Sequence, residues 1–262
     1  MPLCERGGAL SIFAMFDLKG RAAVVTGASR GLGRAMALAL AEAGADIAAV
    51  SRRPASDLAA GVERFGRHCV LLTADLEDPE DVSTVVPRAV GALGRVDILV
   101  NSAGLITRAP AVETAPEDWH RVLQVNLHAV FRLCRDAAAD MLVRRRGKII
   151  NIASLASFQG GILVAPYAAS KGAVAQLTKA LANEWAPLGI NVNAIAPGYM
   201  TTDLTRALRD DPNRNSAILA RIPAGRWGRP DELGGAVVFL ASAASDYVHG
   251  HLLAVDGGWL AR

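Results

Sequence analysis

The chain is poor in cysteine: Cys4, Cys69 and Cys134 are its only three, well separated and without a CxxC pair. That scarcity argues against a disulfide framework or a zinc cluster and fits a reducing compartment. Aromatic residues make up only 5% of the 262, and none interleaves with Arg144-Arg145-Arg146, the one tight basic cluster. A nucleic-acid surface would need both, so the cluster reads as a solvated helix end. Net charge is only +3, and no apolar run reaches the length that spans a bilayer. Residues 1–15 lack the basic start and long apolar core of a secretory signal. They read as a frayed tail, with Met15 as an alternative initiator, on a cytoplasmic protein. Linkers, internal repeats and low-complexity stretches are missing as well, so residues 16–262 read as a single domain, 52% of the whole sequence being apolar.

What the chain does have is alternation. Apolar, strand-like runs at residues 21–26, 46–51, 68–73, 96–100, 148–153, 190–195 and 252–255 are separated by helical patterns. This predicts an α/β fold, a doubly wound Rossmann domain with a seven-stranded parallel sheet and helices on both faces. One long helix is expected over residues 114–143, with Thr114 as its cap and Glu117 in the capping-box position. Residues 199–228 break the rhythm, and they predict a substrate lid carrying one or two short helices.

The first strand runs into Thr26-Gly27-Ala28-Ser29-Arg30-Gly31-Leu32-Gly33 and then a helix. Glycines there permit a tight turn and a close approach of backbone N–H groups to a ligand, and the helix start favours a pyrophosphate. A purely structural turn is the alternative reading. Ser51, Arg52 and Arg53 end the second strand, where an acid would hold a ribose 2′-hydroxyl and an arginine would accommodate a 2′-phosphate. With Arg30 nearby, this favours NADP, with NAD as the alternative. Asp75 and Leu76 follow the third strand, suited to lie along an adenine. Asn101, Ser102, Ala103 and Gly104 end the fourth, leaving room for a flat ligand.

Between Ser154 and Lys171 the chain places a hydroxyl, a phenol and an ammonium at spacings that suit proton transfer. Pro166 can start a helix, so Tyr167 and Lys171 lie one turn apart. A cation beside the phenol is expected to lower its pKa. The plain alternative is one half-buried and one solvated helix residue. Asn126, inside an apolar helical run, is either a packing residue or part of a polar site. His120 and His128 lack a third ligand and read as ordinary helix residues, so no metal is expected.

Taken in order, Thr26-Gly27-x-x-x-Gly31-x-Gly33, Asp75-Leu76, Asn101-x-Ala103-Gly104, Asn126, Ser154, Tyr167-x-x-x-Lys171 and Pro197-Gly198 resemble the short-chain dehydrogenase/reductase family from about Phe16 onward. Ser102 departs from the family's usual second Asn. The resemblance implies that Tyr167 is the general acid/base, that Lys171 tunes it and holds the nicotinamide ribose, and that Ser154 bonds the reacting oxygen. It also implies that Asn126 holds a relay water, that Pro197, Gly198, Met200 and Thr202 line the nicotinamide side, and that the protein is a homotetramer. Gly104-Leu-Ile106, Ser157-Phe-Gln-Gly-Gly161, Asn183-Glu-Trp-Ala186, residues 222–228 and the ending Val255-Asp-Gly-Gly-Trp-Leu-Ala-Arg262 are similar to the family's sugar-acid dehydrogenases, a subgroup for which NAD is implied. Arg108 and Gln159 then join Ser154 and Tyr167 as substrate candidates, because a carboxylate needs a cation and hydroxyls need hydrogen bonds. A 3-oxoacyl thioester reductase and a non-catalytic dinucleotide-sensing module are the competing expectations for this small-molecule protein.

Overall fold

Strands rich in Val, Ile, Leu and Ala with little alternation need cover on both faces, and the fold supplies it. The computed structural model describes residues 11–262. Its strands are β1 (Ala22–Thr26), β2 (Asp46–Ser51), β3 (Cys69–Thr73), β4 (Ile98–Asn101), β5 (Gly147–Ile152), β6 (Ile190–Pro197) and β7 (Leu252–Val255). They form one parallel sheet in the order β3-β2-β1-β4-β5-β6-β7. The chain moves outward from β1 to β3 and then returns to β4, so a crevice opens where the carboxyl ends of β1 and β4 diverge.

Successive strand residues feed opposite cores. Val24, Leu99 and Ile149 pack under α3 (Pro79–Leu93), α5 (Ala129–Arg144) and α6 (Ala165–Trp185), alongside Val85, Leu133 and Val174. Val25, Ile98 and Ile150 face α1 (Gly31–Glu42), α2 (Ser56–Glu63) and α9 (Gly234–Ala241), alongside Met36, Leu58 and Val237. Between residues 199 and 228 lie α7 (Arg206–Asp210) and α8 (Pro212–Leu219), the latter capped by Asp211.

Several expectations need correction. The long helix is two, α4 (Pro116–Leu123) and α5, joined by a π-helical turn over Gln124–His128. Thr114 does not cap it: its hydroxyl donates to the Pro110 carbonyl at 3.3 Å, and Ala115 occupies the cap position. Pro116 starts α4 instead, since its fixed φ suits a first turn and the missing N–H is not needed there. The last helix opens as a 3-10 turn over Pro230–Leu233 before α9. The frayed tail expected over residues 1–15 falls largely outside the described residues; Ile12–Phe16, within them, form a 3-10 turn. No described helix is long and apolar enough to cross a membrane, and no group of metal-ligating side chains occurs among the described residues.

Arg144 is not a simple solvated helix end. Its guanidinium donates to Asp97 Oδ1 at 2.9 Å, to Asp140 Oδ2 at 2.7 Å and to the Val96 carbonyl at 2.6 Å. Asp97, buried at the amino ends of the strands, also accepts from the Ala22 N–H at 3.0 Å and from Arg95 Nε at 2.8 Å. Removing a buried carboxylate strands its donors. Asp97→Ala is therefore expected to lower the unfolding free energy by about 3 kcal/mol in urea titrations. A loss below about 1 kcal/mol would contradict the pairing described.

Candidate active site

The crevice is tied together by a hydroxyl. Thr26 Oγ1, at the end of β1, accepts from the N–H groups of Ser102 and Ala103, both at 3.0 Å. The turn after β1 is thereby held against the turn after β4. Gly27 has φ +67°, and a Cβ there would stand 2.9 Å from Ala103 Cα; a Cβ on Gly33 would collide with the Gly27 carbonyl. Only glycine lets these backbones meet. Helix α1 begins at Gly31 behind Arg30, which supplies no side-chain cap, so the first N–H groups remain available to an anion. Ser29 and Leu32 lie in the same turn. A Cβ on Gly31 would lie 3.7 Å from the Thr202 methyl, which brings Thr202 to the mouth of the crevice. This donor set fits a dinucleotide.

At the outer end Ser51 Oγ donates to the Arg53 carbonyl at 2.6 Å, shaping the turn past β2. Arg52 reaches Glu77 at 3.6 Å and Arg30 reaches Asp203 at 3.3 Å. Both arginines are largely exposed, so these contacts are weak and exchangeable. Asp75 is fixed after β3: its N–H donates to Asp81 Oδ2 at 2.8 Å, and its own carboxylate accepts from the Glu77 N–H at 3.0 Å. Leu76 beside it is buried.

Two expected cofactor residues turn their side chains elsewhere. Asn101 Nδ2 donates to Asn151 Oδ1 at 2.9 Å and to Cys134 Sγ at 3.2 Å, inside the sheet layer. Met200 buries its side chain in the α1/α9 core, where it stands against Gly228. Asn101 thus locks β4 to β5, and Met200 contributes backbone shape. Pro197 closes β6, and Gly198 lies so close to Asp256 that a Cβ would stand 2.6 Å from its Cα.

Ser154 follows β5, its hydroxyl accepting from the Ala156 N–H at 3.1 Å. Ser157 Oγ donates to the Lys171 carbonyl at 2.7 Å, joining that turn to α6. Lys171 Nζ donates to the Ile152 carbonyl at 2.6 Å and lies 5.8 Å from the centre of the Tyr167 ring. Burial lowers the Lys171 pKa to about 8. Burial also raises that of Tyr167, opposed by the neighbouring Ser154 hydroxyl and by the charge of Arg108, while Tyr199 adds to the rise. The expected lowering of the phenol by Lys171 is thus not found. Desolvation acts on both groups, and the cation that helps the phenolate is Arg108, far away in sequence.

Arg108 is exposed, with Nη2 donating to the Leu204 carbonyl at 3.3 Å. Gln159 is half-buried in the turn past Ser154, its N–H bonded to the Leu155 carbonyl at 3.1 Å. Tyr199, absent from the expected set, is near enough for its charge to raise the phenol's pKa. Its signal in the sequence was an aromatic residue directly after Pro197-Gly198 at the carboxyl end of a strand.

A family model described as Enoyl-(Acyl carrier protein) reductase matches residues 27–260. The 2-dehydro-3-deoxy-D-gluconate 5-dehydrogenase of Escherichia coli (strain K12) is 51% identical over 252 residues, 96% of this chain and 100% of that protein. Its namesake from Bacillus subtilis (strain 168) is 54% identical over 248 residues, 94% of this chain and 97% of that one. The chain belongs to the short-chain dehydrogenase/reductase family. Among solved structures, one from Agrobacterium tumefaciens, described as a candidate 2-deoxy-D-gluconate 3-dehydrogenase with NADP bound, superposes with a TM-score of 0.89. It is 52% identical, over 95% of this chain and 99% of that one.

Within this short-chain dehydrogenase/reductase site, Asn126 occupies the π turn between α4 and α5, fully buried. Its side chain clamps Leu105, accepting from that N–H at 2.9 Å and donating to that carbonyl at 2.9 Å, and also donates to Ser170 Oγ at 3.1 Å. A π turn re-aims a helix by one residue, which is how a buried amide reaches a loop. A Cβ on Gly104 would meet Asn126 Oδ1 at 3.3 Å and Lys171 Nζ at 3.8 Å, so the clamp lies beside the ammonium.

The Lys171 shift has a testable sign. Its native pKa of about 8 lies below the ordinary 10.5, so the folded chain releases this proton first as pH rises. Stability from this group therefore increases between those two values and is lost as pH falls back through 8. The unfolding free energy of the native protein minus that of Lys171→Met should rise with pH across this window. A flat difference would show that the ammonium is not desolvated.

Proposed function

We propose that the chain is a cytoplasmic, NADP-dependent oxidoreductase that interconverts a secondary alcohol and a ketone on a sugar acid, with 2-dehydro-3-deoxy-D-gluconate as its substrate. The observation that carries this reading is the convergence of Ser154, Tyr167, Lys171 and the cation Arg108 beside a glycine cradle suited to a dinucleotide. The names of the relatives, including a neighbour solved with NADP, support the substrate class and the cofactor.

The bound nicotinamide would supply or accept the hydride. The protein manages the proton. In reduction Tyr167 gives its phenol proton to the carbonyl oxygen, and in oxidation its phenolate takes the proton from the substrate hydroxyl. Ser154 donates to the same oxygen, where negative charge develops in the transition state. Lys171, anchored on the Ile152 carbonyl, holds the ribose next to Tyr167. Asn126 shapes the Leu105 loop beside that ammonium and supports a relay water there.

Arg108 presents a planar fork of donors that suits a carboxylate, and Gln159 offers an amide to hydroxyls. Arg52, Arg53 and Arg30 accept the 2′-phosphate, Arg52 exchanging Glu77 for it. NADP is thus preferred over the NAD implied by the subgroup. Exposed apolar side chains such as Val112, Trp119 and Phe131 support a homotetramer in which they are covered.

The reading is tested by turnover with NADP and NAD side by side. With 2-dehydro-3-deoxy-D-gluconate, absorbance of the reduced cofactor should rise. Replacing both Arg52 and Arg53 with Ala should raise the KM for NADP by about tenfold to a hundredfold, with that for NAD within about twofold. Reduction of an acetoacetyl thioester without oxidation of the sugar acid would overturn the assignment in favour of a thioester reductase.

A further inference from the structure

Tyr199 leaves the carboxyl end of β6, next to the end of β5 that carries Ser154; the two strands are joined there by the Ala153 N–H and the Ile195 carbonyl at 2.8 Å. Its ring is clamped by two indoles. Trp227 meets it edge-on, with centroids 5.4 Å apart and planes at 87°. Trp259 lies against it at 4.7 Å, tilted by 52°. Each indole is itself fixed. Trp227 Nε1 donates to Asn215 Oδ1 at 2.7 Å, and the Arg221 guanidinium stands 4.0 Å from the centre of the Trp259 ring. These rings pack with Leu155, the residue after Ser154, and with Ile218 and Ile222.

The backbone around the tyrosine is pinned as firmly. The Gly228 N–H donates to the Tyr199 carbonyl at 2.9 Å, and the Thr201 N–H donates to the Gly228 carbonyl at 2.8 Å. The turn that delivers Trp259 is built by Asp256, whose carboxylate accepts from the N–H groups of Gly258 and Leu260, both at 2.9 Å. Trp259 is buried, yet among the described residues its Nε1 has no hydrogen-bond partner. A buried orphan donor is unfavourable, so this ring is not placed there for its polar contacts.

A phenol held this way combines a rigid apolar body with one hydroxyl that can both donate and accept. We propose that Tyr199 is a specificity-determining residue that hydrogen-bonds a hydroxyl of the polyhydroxy acid near the reacting carbon, and that Trp259 is the positioning residue that aims it. The carboxyl-terminal segment thereby sets substrate preference without touching the substrate. A charge on Tyr199 would raise the Tyr167 pKa, in keeping with the adjacent strand ends that carry the two segments. This inference rests on the sugar-acid reading above. A site built to bond a hydroxyl discriminates more sharply than an apolar wall does.

The test is a double-mutant cycle in the full chain, with 2-dehydro-3-deoxy-D-gluconate and saturating NADP. Tyr199→Phe keeps the ring and should raise the KM for the sugar acid by about tenfold, leaving kcat and the KM for NADP within about twofold. Trp259→Leu should raise the same KM, Trp259→Phe should restore it, and the double variant Tyr199→Phe/Trp259→Leu should be no worse than Tyr199→Phe, because both changes act through one hydroxyl. An unchanged KM in Tyr199→Phe overturns the proposal, as do effects that multiply in the double variant. Should Trp259→Leu fail to fold, Tyr199→Phe against the native chain still decides. A native protein that does not oxidise the sugar acid overturns the substrate reading as well, whereas normal native turnover with an unaffected Tyr199→Phe overturns this inference alone.

Discussion

An ammonium taken out of water is the constraint on which the rest of the site depends. Lys171 is almost wholly buried, and the Ile152 carbonyl is the acceptor that its Nζ finds. A lone charge in such a place favours its neutral form, which is the origin of its pKa near 8. Holding it there requires the end of β5 and the first turns of α6 to keep one distance. Ser157 maintains that distance by donating to the Lys171 carbonyl, and the Asn126 clamp closes the other side through Leu105. The placement of Lys171 beside Tyr167 is thus a consequence of how two elements are tied together.

A second set of ties makes the crevice stiff. Thr26 joins the turns after β1 and β4, and the buried chain from Asn101 through Asn151 to Thr178 joins β4, β5 and α6. Every link is a polar group that must find a partner once buried, so each specifies one packing of the sheet and helices. The result is a rigid cradle at one end of the sheet and, at the other, the Asp97 pairing that holds the amino ends together.

The sheet was legible in the sequence because strands covered on both faces must be apolar almost throughout, and Val24 and Val25 serve opposite cores with equal need. The glycine turn was legible for a related reason: at Gly27 and Gly33 a side chain would strike backbone. The π turn at Gln124–His128 was not, since one extra residue in a helical run barely disturbs apolar periodicity. Helix α2 is only 8 residues long and has no side-chain cap, so it offered neither a long pattern nor a start signal. Contacts across long separations were hidden as well. Arg108 acting on Tyr167, Glu77 meeting Arg52, and Trp259 reaching Tyr199 are products of the fold, and spacing along the chain does not encode them.

In the mechanism proposed above, the Tyr167 phenol carries the proton while the surrounding glycine cradle only binds. The most direct measurement is kcat for Tyr167→Phe alongside its affinity for NADPH, read by fluorescence of the reduced cofactor. Loss of the proton donor should lower kcat by about a hundredfold to ten-thousandfold while NADPH still binds within a fewfold of the native protein. Full turnover in that variant would contradict the mechanism.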